Sequence, residues 1–382
     1  MENILPKKRT VKSVYMLCPA AHTAGLLSLL AIALHLLMRQ DHELMVRLSE
    51  NVVRPIHRAL ALFNSGVSFS VAELLIVCTA AAVLLRLVFS AALLVRGRFT
   101  WVRLYKDLAQ LVSLLLFIYA GFCLLWGTFY YGDDFAEKSG LSRDPVSVEQ
   151  LETVTEYFAG LANKYGGEVA RDENGFYNAD RTELIRKSAA LFDGLDEEYP
   201  CLAGPRVTAK PVRLSHLMSY IDFTGFFFPF TGEANVNTDF PPGLFASTIA
   251  HELSHQRGVA KEQEANFTAV LASLNYGDAD YCYSAALLAY THLGNALYSA
   301  DHDAWARIYE KLDENILRDF ARDRAYWKQF DTPAQSVSNT VYEGFLHSYD
   351  QTLGLKSYGA CVDLLVNYYY DAASAASAGQ SK

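Results

Sequence analysis

The chain has 382 residues, of which 51% are hydrophobic and 20% are charged. This apolar fraction is larger than a simple soluble enzyme of that charge content needs. Residues 1–127 hold 13 Lys and Arg against 6 Asp and Glu, whereas the remainder holds 20 against 36. The acidic balance of the remainder argues against nucleic acid as a partner and against flat binding to anionic lipid.

Three apolar stretches occupy the first third of the chain, at about 15–38, 71–95 and 108–126. Each is long enough to cross a hydrocarbon core of about 30 Å as a helix. A cleaved signal peptide is a poorer explanation of the first stretch, since two more follow it and no small-residue cleavage site is evident. The sequence therefore predicts a membrane domain at 1–127 that contacts the lipid bilayer through three transmembrane helices.

The basic residues predict how these helices are oriented. Lys and Arg cluster before the first span and again between the second and third spans, so both segments are expected to be cytoplasmic. The loop between the first two spans also holds four arginines, which opposes this assignment. Three crossings from a cytoplasmic N-terminus would place residues 128–372 outside the cytoplasm, as the extracytoplasmic domain of a multi-pass protein in the cytoplasmic or inner membrane.

The first part of this domain is predicted to combine helices with a small β element. Apolar residues at helical spacing predict helices at about 146–164 and 181–194, after a connector at 128–145. The aromatic and β-branched segment at 216–237 predicts one or two strands, which a turn would join into a hairpin.

The rest of the domain is predicted to be helical. Helices are expected at about 243–256, from about 260 onward, and through most of 280–372. The small and polar tail at 373–382 is expected to be disordered. The predicted fold class is therefore mainly α, with three N-terminal transmembrane helices followed by a mostly helical ectodomain with a small β element.

The helix predicted at 243–256 carries the spacing His251-Glu252-x-x-His255. Residues i and i+4 of a helix share one face, so both imidazoles can reach one zinc ion. Glu252 lies about 100° round the helix from His251, where it can act as a general base without being a ligand.

A hydrolytic zinc site needs a third protein ligand. Glu262 and Glu264, just beyond Gly258, are the candidates, and helical spacing separates them. Glu262 is preferred because it shares a face with small residues that allow two helices to approach closely. Asn266, one turn after Glu262, could hydrogen-bond a ligand histidine or Glu262 itself. Glu264 is kept as the alternative ligand.

A helix without metal is the competing explanation of this motif, with its histidines exposed or hydrogen-bonded in a core. The apolar neighbours Phe245, Ile249 and Leu253 on the same helix make that explanation awkward. We therefore expect Zn²⁺ as the cofactor.

The two motifs together, His251-Glu252-x-x-His255 and Glu262-Gln263-Glu264-Ala265-Asn266, resemble those of the gluzincins. These zinc metallopeptidases take a third ligand from a glutamate on the following helix. In membrane-bound members related to the prenyl-protein and heat-shock metalloproteases the second motif is Glu-x-x-Ala-Asp, whereas this chain has Asn266 at the last position. The resemblance covers about 216–270 and implies a zincin-like ectodomain. Nearly the whole chain resembles a bacterial family of three-span membrane proteins of unknown function.

The gluzincin resemblance implies two further features. The strand at 223–230 would pair with an extended peptide substrate, although it could equally cover only the active-site helix. A Tyr or His from a later helix would stabilise the oxyanion. Tyr342 is the first candidate for that role, followed by His347 and Tyr358.

The function predicted from the sequence is a membrane-anchored zinc peptidase that hydrolyses peptide bonds of a peptide or protein substrate. The alternative is a non-catalytic membrane receptor or assembly factor that retains a zinc-binding ectodomain. Glu252 favours catalysis, because a structural site would not need it. An intramembrane protease fits poorly, because the motif follows the last span by about 120 residues. The substrate and the oligomeric state stay open.

Overall fold

The computed structural model describes residues 14–348 and 358–380. The α-helices are α1 Pro19–Met38, α2 His42–Leu48, α3 Arg54–Asn64, α4 Val71–Val95, α5 Trp101–Leu125, α6 Phe135–Ser139, α7 Val148–Gly166, α8 Arg181–Lys187, α9 Leu195–Glu198, α10 Ser215–Ser219, α11 Phe245–Gln256, α12 Glu262–Tyr276, α13 Ala279–Ala300, α14 His302–Tyr309, α15 Glu314–Lys328, α16 Pro333–Ser348 and α17 Tyr358–Gln380. The strands are β1 Lys210–Val212, β2 Gly225–Phe228 and β3 Glu233–Asn237. The mainly α fold class is confirmed.

Three helices, α1, α4 and α5, are long and apolar enough to cross a membrane, as predicted. Two of them differ from the predicted bounds. Helix α1 begins at Pro19 rather than near residue 15. Helix α5 begins at Trp101 rather than near 108, because the Thr100 hydroxyl caps the helix by accepting the N–H of Arg103 at 3.2 Å. The helix therefore starts about two turns before the apolar run, and these turns carry Arg103, Lys106 and Asp107.

One end of the three spans is joined to the rest of the protein. Just beyond α1, Arg39 donates to the Tyr131 hydroxyl at 2.8 Å, shortly after α5 ends. At the start of α4, the carboxylate of Glu233 on β3 accepts the N–H groups of Val71 at 3.2 Å and Ala72 at 2.8 Å. The ends of α1 and α5 and the start of α4 thus lie on one side, as three successive crossings require.

Polar contacts also hold the spans to one another. Arg86 of α4 forms an ion pair with Asp107 of α5, with 2.6 Å between Nη2 and Oδ1. The Ser113 hydroxyl of α5 donates to the carbonyl of Ala21 in α1 at 2.7 Å. Charges within an apolar layer are stable only when paired. These contacts link α5 to each of the other two spans, of which α1 packs closely against α5 and α4 packs little.

The helical body forms one core in which α7 packs against α13 and α17. Helix α8 is shorter than predicted and continues as a 3-10 turn, because the Ser188 hydroxyl donates to Ile185 and accepts the Ala209 N–H. The disordered tail predicted from residue 373 is wrong as far as Gln380, where α17 ends. Ala373 is fully buried, so burial stabilises a segment that composition alone indicates as disordered.

The small sheet has the order β1-β3-β2, with β1 parallel and β2 antiparallel to β3. The segment at 216–237 thus contains the predicted hairpin, whereas β1 was not predicted because it is three residues long and contains a proline. The Asn237 N–H donates to the Thr224 carbonyl at 2.9 Å. Because hydrogen-bonded pairs alternate along an antiparallel ladder, the polar groups of Gly225 and Phe227 point away from β3, towards the free edge of β2.

Candidate metal centre

A glycine turn joins the two helices that carry the motifs. Helix α11 begins at Phe245, after a 3-10 turn at Pro242–Leu244, and not at Gly243 as predicted. After α11, Gly258 adopts φ +87°. A Cβ there would lie 2.8 Å from Phe129, so both the conformation and the close approach require glycine. The turn brings the first residue of α12, Glu262, back towards α11.

The structure brings together the side chains of His251, His255 and Glu262. The Oε2 atom of Glu262 lies 3.1 Å from Nε2 of His251 and 3.6 Å from Nε2 of His255. One ligand atom from each residue lies within 4.8 Å of the other two, a spacing that could hold a metal ion. Two imidazoles and a carboxylate are the donor set typical of a catalytic zinc site.

The outer nitrogen of each imidazole is hydrogen-bonded to an oxygen atom. Nδ1 of His255 lies 2.6 Å from the carbonyl oxygen of Val259, and Nδ1 of His251 lies 2.9 Å from Oδ1 of Asn266. A carbonyl oxygen only accepts, so Nδ1 of His255 carries a proton and Nε2 is the atom left to bind a metal. Asn266 is thus placed where it could orient His251, one of the two alternatives predicted for it.

Charge at the centre favours a cation. Burial acts to raise the pKa of Glu262, but the charge on His255 and hydrogen bonds from both histidines hold that pKa well below its usual range. Burial acts to lower the pKa of His255, but Glu262 outweighs it and raises the pKa to about 9. The Glu262 carboxylate therefore stabilises positive charge where the imidazoles meet, whether protons or a metal ion carry it.

Glu252 lies beside this group but is not one of the three donors. Its side chain is buried, which raises its pKa to about 7. The Phe227 N–H on the free edge of β2 hydrogen-bonds to its carboxylate, while Oε2 has no hydrogen-bond partner among the described residues. With the three donors, Glu252 lines a cleft of about 680 Å³. An ionisable group with a spare oxygen at a cleft wall is typical of a functional site.

The two candidate third ligands are separated in space. Glu264 is 1% exposed and accepts the N–H groups of Phe135 at 2.9 Å and Ala136 at 3.1 Å, at the start of α6. Glu264 therefore caps α6 and faces away from the histidines. Of the two glutamates, only Glu262 lies beside His251 and His255.

Tyr342 reaches the same cleft from α16. Its hydroxyl donates to Oε1 of Glu262 at 2.7 Å, and its ring packs edge-on against Phe223. The side chains of the two other candidates, His347 and Tyr358, are outside the part of the chain that the structure describes.

One wall of the cleft was not predicted, because it comes from the end of the third span. Phe122, Trp126 and Tyr130 line the cleft there. The Trp126 ring lies edge-on to His255, with 5.8 Å between centroids, and its Nε1 donates to the Tyr130 hydroxyl at 3.1 Å. The end of α5 and the histidine motif are therefore in contact, although about 120 residues separate them in the sequence. The only available signal was a Trp and Tyr pair at a span end, which is typical of any membrane interface.

Comparison with known proteins gives a match to a family model described as "Protein of unknown function (DUF3810)", over residues 48–366. The matched range includes α4, α5 and every residue of the candidate centre. No curated protein and no solved structure matches the chain significantly.

Proposed function

The chain belongs to the DUF3810 family, since that model matches well over half of it, and we propose that it acts as a membrane-anchored zinc-dependent peptidase. The observation that supports this activity is the convergence of His251, His255 and Glu262, with Glu252 beside them in one cleft. A donor set alone would suit a structural site, whereas the added carboxylate suits hydrolysis.

In this proposal, the two histidines and Glu262 hold the zinc. When bound, the ion would polarise a peptide carbonyl and promote ionisation of a water molecule. Glu252 accepts the proton of the attacking water and later delivers it to the leaving nitrogen. Asn266 and the Val259 carbonyl hold the imidazoles with Nε2 directed inward.

The free edge of β2 is the proposed binding surface for the peptide. Of its outward groups, the Phe227 N–H already hydrogen-bonds to Glu252, so an added strand would use the N–H and C=O of Gly225 and the C=O of Phe227. Gly225 packs directly on Glu252, so a peptide paired there would pass the proposed base. We propose substrate pairing for this strand because its free edge lies beside the proposed base.

The catalytic domain is proposed to be extracytoplasmic, in a multi-pass protein of the cell membrane. The basic residues between α4 and α5 lie at the end of the spans opposite the cleft. Because the positive end of a membrane domain is usually cytoplasmic, the cleft would face the other side.

A non-catalytic receptor or assembly factor is the competing proposal. Such a protein would need the three donors but gains nothing from Glu252. Burying a carboxylate whose second oxygen is unpaired costs free energy. We therefore favour the peptidase. The experiment that tests it measures zinc and peptide hydrolysis in the purified full-length protein, with Glu252→Gln as the inactive reference.

Gly225→Ala should impair hydrolysis without removing zinc. A Cβ at residue 225 would lie 2.6 Å from Oε1 of Glu252, so the carboxylate or the strand must shift. Misplacement of a reacting group by about 1 Å can cost roughly 100-fold in rate. The measurement is kcat with zinc content. Gly243→Ala is the matched control, since among the residues that the structure describes its added Cβ would meet only Leu287, at 3.6 Å. Equal kcat for the two variants would contradict the role given to Glu252.

Tyr342→Phe tests the proposed oxyanion-stabilising group. Its hydroxyl stands in the cleft within hydrogen-bond distance of Glu262. Loss of one oxyanion donor lowers kcat by about 100-fold or more, so we expect that fall with zinc content unchanged. The measurement is steady-state kinetics beside elemental analysis. Loss of zinc from the variant would instead assign Tyr342 to positioning Glu262.

A further inference from the structure

The cleft begins at the membrane domain. Phe122 and Trp126 occupy successive turns at the end of α5, and both line the cleft beside His255. Helix α5 has 25 residues and a length of about 37 Å, which exceeds a hydrocarbon core of about 30 Å. Its last turns, with Trp126 and Tyr130 just after them, therefore lie at the boundary between hydrocarbon and headgroups. The candidate metal centre is within side-chain contact of that boundary.

The β2–β3 hairpin links the centre to the same boundary. At one end of β2, Gly225 packs on Glu252. Three residues later the strand ends at Phe228, whose ring contacts Phe230 at 5.3 Å between centroids. The Phe230 ring packs on Gly121 of α5, where any Cβ would collide with it. Since a strand rises about 3.3 Å per residue, β2 extends only about 10 Å from the proposed base towards the bilayer.

A substrate strand paired with β2 would follow the same course. From Glu252 onward, the substrate backbone would run beside the half-buried residues Phe226 and Phe228. It would end close to Gly121 of α5. A soluble peptide would have to place this portion against headgroups and acyl chains. In a polypeptide that already emerges from the bilayer, the segment beside Phe226 and Phe228 lies at the membrane boundary before binding. Such a substrate therefore loses less conformational and translational freedom when it binds.

Resting on the proposed function, we propose that the substrate is a membrane-anchored polypeptide, cut about three to six residues outside its own span. A polypeptide is favoured over a lipid, because the edge of β2 presents N–H and C=O groups that an acyl chain cannot satisfy. The spacing follows from the rise of β2 between Glu252 and the span. The reaction is hydrolysis of one peptide bond by one water molecule, which releases the external part of the substrate.

The test uses the full-length protein in liposomes with a reporter library. Each reporter has one transmembrane helix, twelve randomised residues outside it, and a folded tag. A second library carries the same residues and tag without the helix, and a third is attached to lipid through an acyl chain. Released tags are sequenced to locate each cut. We expect cuts concentrated three to six residues from the span, and release at least 10-fold faster than from the soluble library.

A series of insertions distinguishes a required distance between the cut site and the span from a simple rise in substrate concentration at the membrane. One sequence that is cut efficiently is moved outward by inserting 4, 8 or 16 Gly and Ser residues after the span. Cleavage should fall at least 10-fold by the 16-residue insertion, although the reporter stays on the same liposome. Equal cleavage at all spacings, or cuts spread evenly over the randomised residues, would overturn the inference. Equal release from the acyl-anchored library would show that any anchor suffices and would overturn the requirement for a span.

Failure of the peptidase function itself looks different. In that case no library is cut by zinc-loaded protein, and Glu252→Gln does not differ from the wild type, so both proposals fall together. Cleavage of the soluble library at the rate of the anchored one would keep the peptidase and reject the membrane-anchored substrate.

Discussion

Glu262→Gln is expected to leave the purified protein without zinc, whereas Glu264→Gln should retain about one zinc per chain. Glu262 places its Oε2 atom between the two histidines, at 3.1 and 3.6 Å from their Nε2 atoms. Its amide replacement keeps the shape but removes the negative charge that stabilises a divalent cation. Since loss of even an outer partner of a metal ligand costs 10- to 100-fold in affinity, loss of a ligand should cost about 100-fold or more.

Elemental analysis of the full-length wild type and both variants, after dialysis at neutral pH without chelator, makes this measurement. Glu264→Gln is the matched control, because it makes the same chemical change two residues away and its carbonyl oxygen can still accept one of the two N–H groups, those of Phe135 and Ala136, that the carboxylate accepts. A wild type free of zinc would reject the metal centre. Loss of zinc in Glu264→Gln, with the fold retained by circular dichroism, would reject the choice between the two glutamates.

Glu252→Gln should keep its zinc and lose hydrolysis. The Glu252 side chain is not among the three converging donors, so metal affinity should stay close to that of the wild type. Glutamine has the same shape but cannot take a proton at neutral pH. General base catalysis contributes about 10²- to 10⁴-fold, and kcat should fall by that factor with little change in KM.

The substrate for these kinetic measurements is the reporter of the anchored library that the wild type cuts most efficiently. Ser254→Ala, on the same helix, is the matched control: the buried Ser254 hydroxyl donates to the Ala250 carbonyl, at 2.8 Å. It should keep both zinc and kcat. If Glu252→Gln hydrolyses the reporter at the wild-type rate, another group must be the base.

Local patterns in the sequence were enough to predict the spans and the donor spacing. An apolar run of sufficient length and a pair of histidines four residues apart each depend only on helix geometry. The same geometry favours Glu262 over Glu264, because two residues along a helix point in nearly opposite directions. The structure places the two side chains accordingly, with Glu264 at α6.

Contacts between distant segments could not be predicted in this way. No local pattern indicates that Trp126 packs on His255 or that Phe230 meets Gly121. The three-residue strand β1 depends on pairing with β3 rather than on its own sequence. Likewise, α17 extends through the alanine-rich tail because Ala373 is buried by other helices.

The attachment of β3 to α4 bears on how the protein can be divided. Glu233 holds the first amides of α4, Asn235 accepts from the Ser70 hydroxyl at 2.6 Å, and Lys210 of β1 donates to the Asn64 carbonyl at 3.2 Å. These partners precede residue 128, so a chain that starts there would leave the buried side chains of Glu233, Asn235 and Lys210 without them. The membrane domain is thus a scaffold on which the cleft is assembled. The protein is expected to be purified and crystallised only with this domain attached.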